Sequence, residues 1–242
     1  MSFIIEIATT DFITTRAAVE GGADRIELCA NLAEGGTTPS YGMILKCREK
    51  FGLPIFPIIR PRGGDFLYGK DEFGIMARDV AFCKATSCDG IVTGLLNVDG
   101  TIDMIRTGDL VEQAYPMSVT FHRAFDRCRD PFAALEELIE IGCERVLTSG
   151  QQPAAPDGAD LIAQLNRLAD GRIIIMPGSG VRKDNIKALA EKTACTEFHS
   201  SLKGKSRSQM EFVHPSFAEF PESYMNNSVD PEEVRGLRNA LV

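Results

Sequence analysis

The stretch PIFPIIRPRGGDFLYG, residues 54–69, ends an apolar run in Arg60, Arg62 and Asp65, with Pro61 and Gly63-Gly64 between them. A surface turn needs Gly and Asp but not two arginines, whose planar guanidinium groups bind carboxylate or phosphate through paired hydrogen bonds. Other apolar runs end in comparable chemistry. Glu6 closes one, Glu27 and Cys29 another, and His122 a third with Arg123 and Asp126 just beyond; Thr93, Thr148-Ser149 and His199-Ser200 close others. Carboxylates, arginines and a histidine whose ordinary pKa lies near neutral are the groups that acid–base work on an anionic molecule requires.

Short β-type runs must position these groups. Residues 3–7, 25–29, 55–60, 90–94, 118–122, 145–149, 172–176 and 197–200 read as strands, alternating with helical patterns. DPFAALEELIEIG has Asp130 as N-cap, Pro131 at the first helical position and Gly142 as its stop, and DPEEVRGLRNALV opens the same way. Eight strands each followed by a helix predict an α/β fold, a single TIM-type (β/α)8 barrel spanning residues 1–242 as one domain. GGADRIELC and IGCERVLTS share Gly-x-x-Arg ahead of strands two and six, either a trace of two half-barrels or a common helix-to-strand turn. Residues 202–229 form a long connection between strand eight and helix eight, the kind that serves as a lid or an interface. Its Phe212, Phe217, Phe220 and Tyr224 point to packing against the barrel or a partner subunit.

In such a barrel the strand C-terminal ends face one mouth. Side chains alternate along a strand, so Glu27 and Cys29 share a side. Glu6, Glu27, Arg60 and His122 are then the candidate catalytic set. His122 would be acid or base, Glu6 or Glu27 would orient it or abstract a proton, and Arg60 with Arg62 would hold the anionic group. On this reading the arginines pair with carboxylates of other strands, Arg60 within reach of Glu27. The alternative is a purely structural salt-bridge network, although burying charge returns little stability. IIIMPGSGV and FHSS add a candidate anion site at Gly178, Gly180, Ser200 and Ser201, because loops after strands seven and eight often bind phosphate through backbone N–H groups, here with a helix starting near Arg182. The alternative there is an ordinary tight turn.

A net charge of −8 with no basic block argues against a nucleic-acid partner. No apolar run is long enough to span a bilayer, and MSFIIEIATTDF lacks the basic start of a signal peptide. The seven cysteines are an odd number without a CxxC or Cys/His pattern, which predicts reduced thiols and a cytoplasmic protein. Cu(I) prefers thiolate and thioether ligands. Cys29, Met176 and His199 could offer such donors near the mouth, in a spacing that is no metal motif.

GGADRIELC, EGGTTPS, IIRPRGGDFLY, IVTGLL, DGTID, VTFHRAFD, RVLTSGQ, GSGV and EFHSS together resemble the signature blocks of the CutC family and cover most of the chain. The resemblance implies a TIM-type barrel, a cytoplasmic homo-oligomer, and a part in copper homeostasis with copper binding suggested for some members; a homodimer is expected because closed two-fold dimers are the commonest assembly. Cys29 matches the family's Glu-Leu-Cys and is the candidate metal ligand, whereas Ala8 stands where many members carry a cysteine and Thr37 where Leu is usual. The mouth chemistry supports a different expectation, an enzyme acting on a small anionic or phosphorylated metabolite.

Overall fold

Short runs rich in Ile, Val and Phe, bounded by Gly, Asp and Pro, form eight parallel strands in the computed structural model, which describes residues 3–220 and 224–241. They are β1 (Ile4–Thr9), β2 (Arg25–Leu28), β3 (Ile55–Pro57), β4 (Gly90–Thr93), β5 (Ser118–Phe121), β6 (Arg145–Thr148), β7 (Ile174–Pro177) and β8 (Glu197–Ser200). Eight helices alternate with them: α1 (Phe12–Glu20), α2 (Tyr41–Lys50), α3 (Lys70–Ala85), α4 (Met104–Ala114), α5 (Pro131–Glu140), α6 (Ala159–Ala169), α7 (Ile186–Thr193) and α8 (Pro231–Ala240). The strands hydrogen-bond in the orders β3-β2-β1-β8 and β4-β5-β6-β7. A parallel bridge between Ile58 and Val92 joins the two sets at β3 and β4, and β7 packs beside β8. The result is the expected (β/α)8 barrel.

Helix starts follow local chemistry. Asp11, Asp130 and Asp230 each accept backbone N–H groups of the first turn of α1, α5 and α8, and Pro131 and Pro231 occupy positions whose missing N–H costs nothing there. Helix α7 starts at Ile186 and not near Arg182, because the Asn185 side chain folds the preceding residues into a turn: its Oδ1 accepts the Arg182 N–H and its amide donates to the Gly180 carbonyl. The long connection is not unstructured. It forms an antiparallel ribbon, β9 (Gly204–Arg207) with β10 (Met225–Ser228), tied to the barrel by a hydrogen bond from Asn227 to Thr10. Phe212, Phe217 and Phe220 are exposed and do not pack on the barrel; residues 221–223 of the connection lie outside the described residues.

Aliphatic residues fill the layer between strands and helices. The barrel interior differs. Beside a small apolar cluster of Cys29, Phe56, Ile58 and Val92 it holds charge. The register sets Glu6 next to Arg25 on one side and His199 on the other. Arg25 reaches Glu6 at 2.5 Å and Glu197 at 2.6 Å, and Arg145 reaches the same Glu197 at 2.7 Å. Both guanidinium groups lie over the Phe56 ring, 5.1 and 5.7 Å from its centroid. Gly90 makes room for that ring, since a Cβ there would come within 2.4 Å of it. The repeated Gly-x-x-Arg thus has a shared structural result: Arg25 and Arg145 open β2 and β6, four strands apart in the barrel, and meet on one carboxylate.

Removing one partner of a buried ion network leaves charge uncompensated in a low-dielectric interior. Glu197→Ala is therefore expected to lower stability by about 3–5 kcal/mol in urea unfolding. A loss below about 1 kcal/mol, the size of a surface pair, would show that the network carries no such strain.

Candidate functional site

The strand C-terminal ends open into a cavity of about 660 Å³. On its floor the interior charge network meets the cavity. One Glu6 oxygen takes Arg25, and the other lies 2.7 Å from His199 Nδ1. This contact assigns the Nδ1 proton to the Glu6 side and turns Nε2 toward Glu27, 3.9 Å from its Oε2. Burial alone would raise Glu6, but Arg25 and His199 outweigh it and hold the carboxyl at about 2. Glu27 is the reverse case: burial, reinforced by the negative Glu6, pushes it up to about 7 against the pull of His199 and Arg25. Burial would lower His199, yet the two carboxylates raise it. Glu27 and His199 line the cavity, while Glu6 lies fully buried beneath it. Glu6 is thus a group that orients His199 and does not face a ligand.

His122 stands on the other side of the mouth. Its Nδ1 accepts the Ala124 N–H at 3.2 Å, which places the ring proton on Nε2. That Nε2 is buried and has no partner among the described residues. Burial and the nearby Arg60 push the imidazole down to about 3, so it stays neutral. His122 is therefore a neutral ring that lines the cavity, with its Nε2–H buried and unpartnered among the described residues, and not the near-neutral titrating group expected from its type. Gly94 creates its place, because a Cβ there would sit 2.5 Å from the ring. The Phe66 ring covers it, with centroids 4.8 Å apart.

The two arginines of residues 54–69 do not pair with carboxylates of other strands. Arg60 lines the cavity with Glu27, but no ion pair joins them among the described residues. Its two terminal nitrogens donate to the carbonyls of Glu34, Gly36 and Gly64 at 2.7–2.8 Å, committing them to loop backbone, while its buried Nε has no partner among the described residues. Arg62 pairs with Glu72 at 2.5 Å and Asp65 at 3.0 Å, both within its own loop and helix, and does not line the cavity. The arginines that cross between strands are Arg25 and Arg145. Arg123 and Asp126 likewise brace loops: Asp126 accepts from Arg123, Thr148 and the Ser149 N–H.

The candidate anion residues divide. Gly180 and Ser201 line the cavity, as does Ser179 between the two glycines. Gly178 lies deeper, where a Cβ would come 2.4 Å from Leu147, and Ser200 turns away to donate to the Val181 carbonyl at 2.8 Å. Arg127 and Lys203 stand exposed on the cavity rim, with no salt bridge to either among the described residues. They place positive charge where Arg62 does not.

Cys29 does not fit a Cu(I) site. It lies outside the cavity lining, its thiol donates to the Thr9 carbonyl at 3.4 Å, and burial together with Glu27 pushes the thiol far above its ordinary range. Met176 Sδ faces the Arg25 guanidinium at 3.3 Å. Among the described residues the ligand atoms close enough for an ion are those of Glu6, Glu27 and His199, within 4.8 Å of one another. They are hard and borderline donors, and Glu6 is already spent on Arg25 and His199. The network of Arg25, Arg145, Glu197 and His199 is not among the groupings that the sequence suggests. The signal was there in the period of two: Arg25-x-Glu27-x-Cys29 and Glu197-x-His199-x-Ser201 put ionisable groups on the inward side of strands.

The family model described as CutC family matches residues 3–204. A CutC family protein of Chromobacterium violaceum is 48% identical, covering 100% of this chain and 99% of that protein. One from Parabacteroides distasonis is 52% identical over 88% of each. Among solved structures, the CutC protein of Streptococcus agalactiae, named for a supposed role in copper homeostasis, superposes with a TM-score of 0.79 at 30% identity, covering 82% of this chain and 98% of that one.

Glu27 supplies the pH-dependent test of this geometry. A carboxyl raised from 4.5 to about 7 on folding makes the native state bind its proton more tightly, so its contribution is present at low pH and is lost as pH rises through that window. Glu27→Gln is expected to be more stable than wild type above pH 7, by about 3 kcal/mol at most, with the gain vanishing below pH 4.5. Melting temperatures across that range check it. A gain that did not shrink with acid would rule out the buried carboxylate as its cause.

Proposed function

The chain belongs to the CutC family, and from that premise we propose that it is an enzyme doing acid–base chemistry on a small anionic metabolite at the barrel mouth. The observation that carries this reading is Glu27. It faces a cavity, accepts no hydrogen bond among the described residues, and has a proton affinity matched to neutral pH. A carboxyl in that state takes and returns protons at working pH, and perturbed groups of this kind mark sites. His199, held by Glu6, is its proton partner. Arg127 and Lys203 at the rim, with Ser201 and the Gly180 backbone, would hold the anionic end of the molecule.

Copper handling is the reading that the family's naming supports. Copper would need a donor set other than one built on Cys29, whose thiol is protonated and hydrogen-bonded. The exposed Phe212, Phe217 and Phe220 support a homodimer, and seven free buried cysteines support a reducing compartment such as the cytoplasm. Light scattering at micromolar concentration is expected to give twice the chain mass; the mass of one chain would remove the dimer.

Titration calorimetry at low salt, with inorganic phosphate and a panel of sugar phosphates, tests the anion site. Binding is expected, weakened about tenfold, or ~1.4 kcal/mol, by Arg127→Ala combined with Lys203→Ala. No heat from any anion at millimolar concentration would end the metabolite reading. In the same buffer, Cys29→Ser is expected to leave Cu(I) affinity unchanged in competition with a chelator, and a large loss would return copper to Cys29.

A further inference from the structure

In a closed ring of eight strands β5 stands opposite β1, and β2 and β8 flank β1. Glu27 and His199 therefore enter the mouth from one side, and His122 faces them from the other. Ile58, Phe66, Leu96 and Leu147 line the same cavity and give it apolar walls. A bound molecule would meet a carboxylate on one face and, on the other, a neutral imidazole whose buried Nε2–H has no partner among the described residues.

We infer that the site catalyses proton transfer at the carbon next to a carbonyl, taking a small hydroxyketone or hydroxyaldehyde that carries a phosphate, with Glu27 as the base and the His122 Nε2–H as the donor that stabilises the enolate oxygen. This rests on the acid–base reading of the mouth and specifies its reaction.

The step balances within the molecule. Glu27 removes the proton from the α-carbon. The C–H electron pair becomes a carbon–carbon double bond, and the carbonyl π pair moves onto oxygen, where His122 donates its hydrogen bond. The proton held by Glu27 returns to the same carbon, which regenerates the substrate. When the neighbouring hydroxyl passes its proton to the enolate oxygen, the proton from Glu27 instead goes to the adjacent carbon and completes an isomerisation. No oxidant or second substrate is consumed.

Each part of the constellation has a reason in this reading. A neutral imidazole suits an enolate because it donates a hydrogen bond without giving up its proton, and a fixed donor in a site shielded from water stabilises charge as it develops. The Ala124 N–H fixes the tautomer that puts the proton on Nε2, and Gly94 and Phe66 fix the ring. His199 stands beside Glu27 to keep it ionised when empty and to relay the proton. Arg127 and Lys203 at the rim provide for the phosphate, away from the reacting carbon.

The test is hydrogen exchange in D2O at neutral pH, read by proton NMR as loss of the α C–H signal of dihydroxyacetone phosphate and of ribulose 5-phosphate, with calorimetric binding of the same two compounds measured alongside. The full-length protein is expected to catalyse exchange. Glu27→Gln is expected to abolish it while binding stays within about threefold of wild type. His122→Leu is expected to lose about 100-fold in exchange rate, and His122→Gln, which restores an N–H donor, to recover part of that loss. Circular dichroism and melting curves separate a lost donor from a lost fold. Binding without exchange in the wild-type protein, or exchange that survives Glu27→Gln, would overturn the enolisation and leave the anion site standing. Absence of binding by both compounds would overturn both readings.

Discussion

A guanidinium inside a barrel has to be neutralised where it stands, and Arg25 is neutralised twice, by Glu6 and by Glu197. Much of the site's geometry depends on that pair of contacts. Burial would favour a neutral arginine, but the two carboxylates keep it charged. Glu197 then holds Arg145 as well, and Phe56 lies against both guanidinium groups. The interior is thereby fixed in orientation as well as packed. Charged pairs demand specific angles that aliphatic contacts do not, and the cost is desolvation that a hydrophobic core would avoid.

The same balance explains why Glu27 differs from Glu6. Inside the ring the carboxylates of Glu6 and Glu197 are matched by the guanidinium groups of Arg25 and Arg145. Glu27 is left with His199, whose charge depends on holding a proton. A carboxyl raised toward neutrality thus stands beside an imidazole raised by two carboxylates. The fold commits Glu6 firmly to the ionised form and leaves Glu27 able to change. A group held in that state costs stability, which is a reason to look for its use in function.

Loops complete the mouth through backbone more than through charge pairs. Arg60 gathers carbonyls from two loops, Asp126 gathers N–H and hydroxyl donors from the segments after β5 and β6, and Phe66 lies over both Arg60 and His122. These contacts hold the walls of the cavity. They also account for the fate of residues 54–69. Arg60 organises the loops, Arg62 secures its own turn to Glu72, and the exposed positive charge falls to Arg127 and Lys203.

The (β/α)8 fold was legible in the sequence because its signals are local. Strand runs, Asp-Pro helix starts and Gly stops depend on neighbours a few positions away, so β8 falls at 197–200 as read and α5 begins at Pro131 under Asp130. The resemblance of motifs such as TFHRAFD and RPRGGDF fixed the family for the same reason. Partner choice was not legible. The period of two makes Glu27 and Cys29 both inward, but it does not say that Glu27 opens on a cavity while Cys29 is sealed behind it. Nor does it say that Arg60 spends its donors on carbonyls, or that Arg25 and Arg145, more than a hundred residues apart, share one carboxylate. Ring closure decides those contacts. It brings strands distant in sequence into one small interior, where each charge must find compensation from whichever strand the register places beside it.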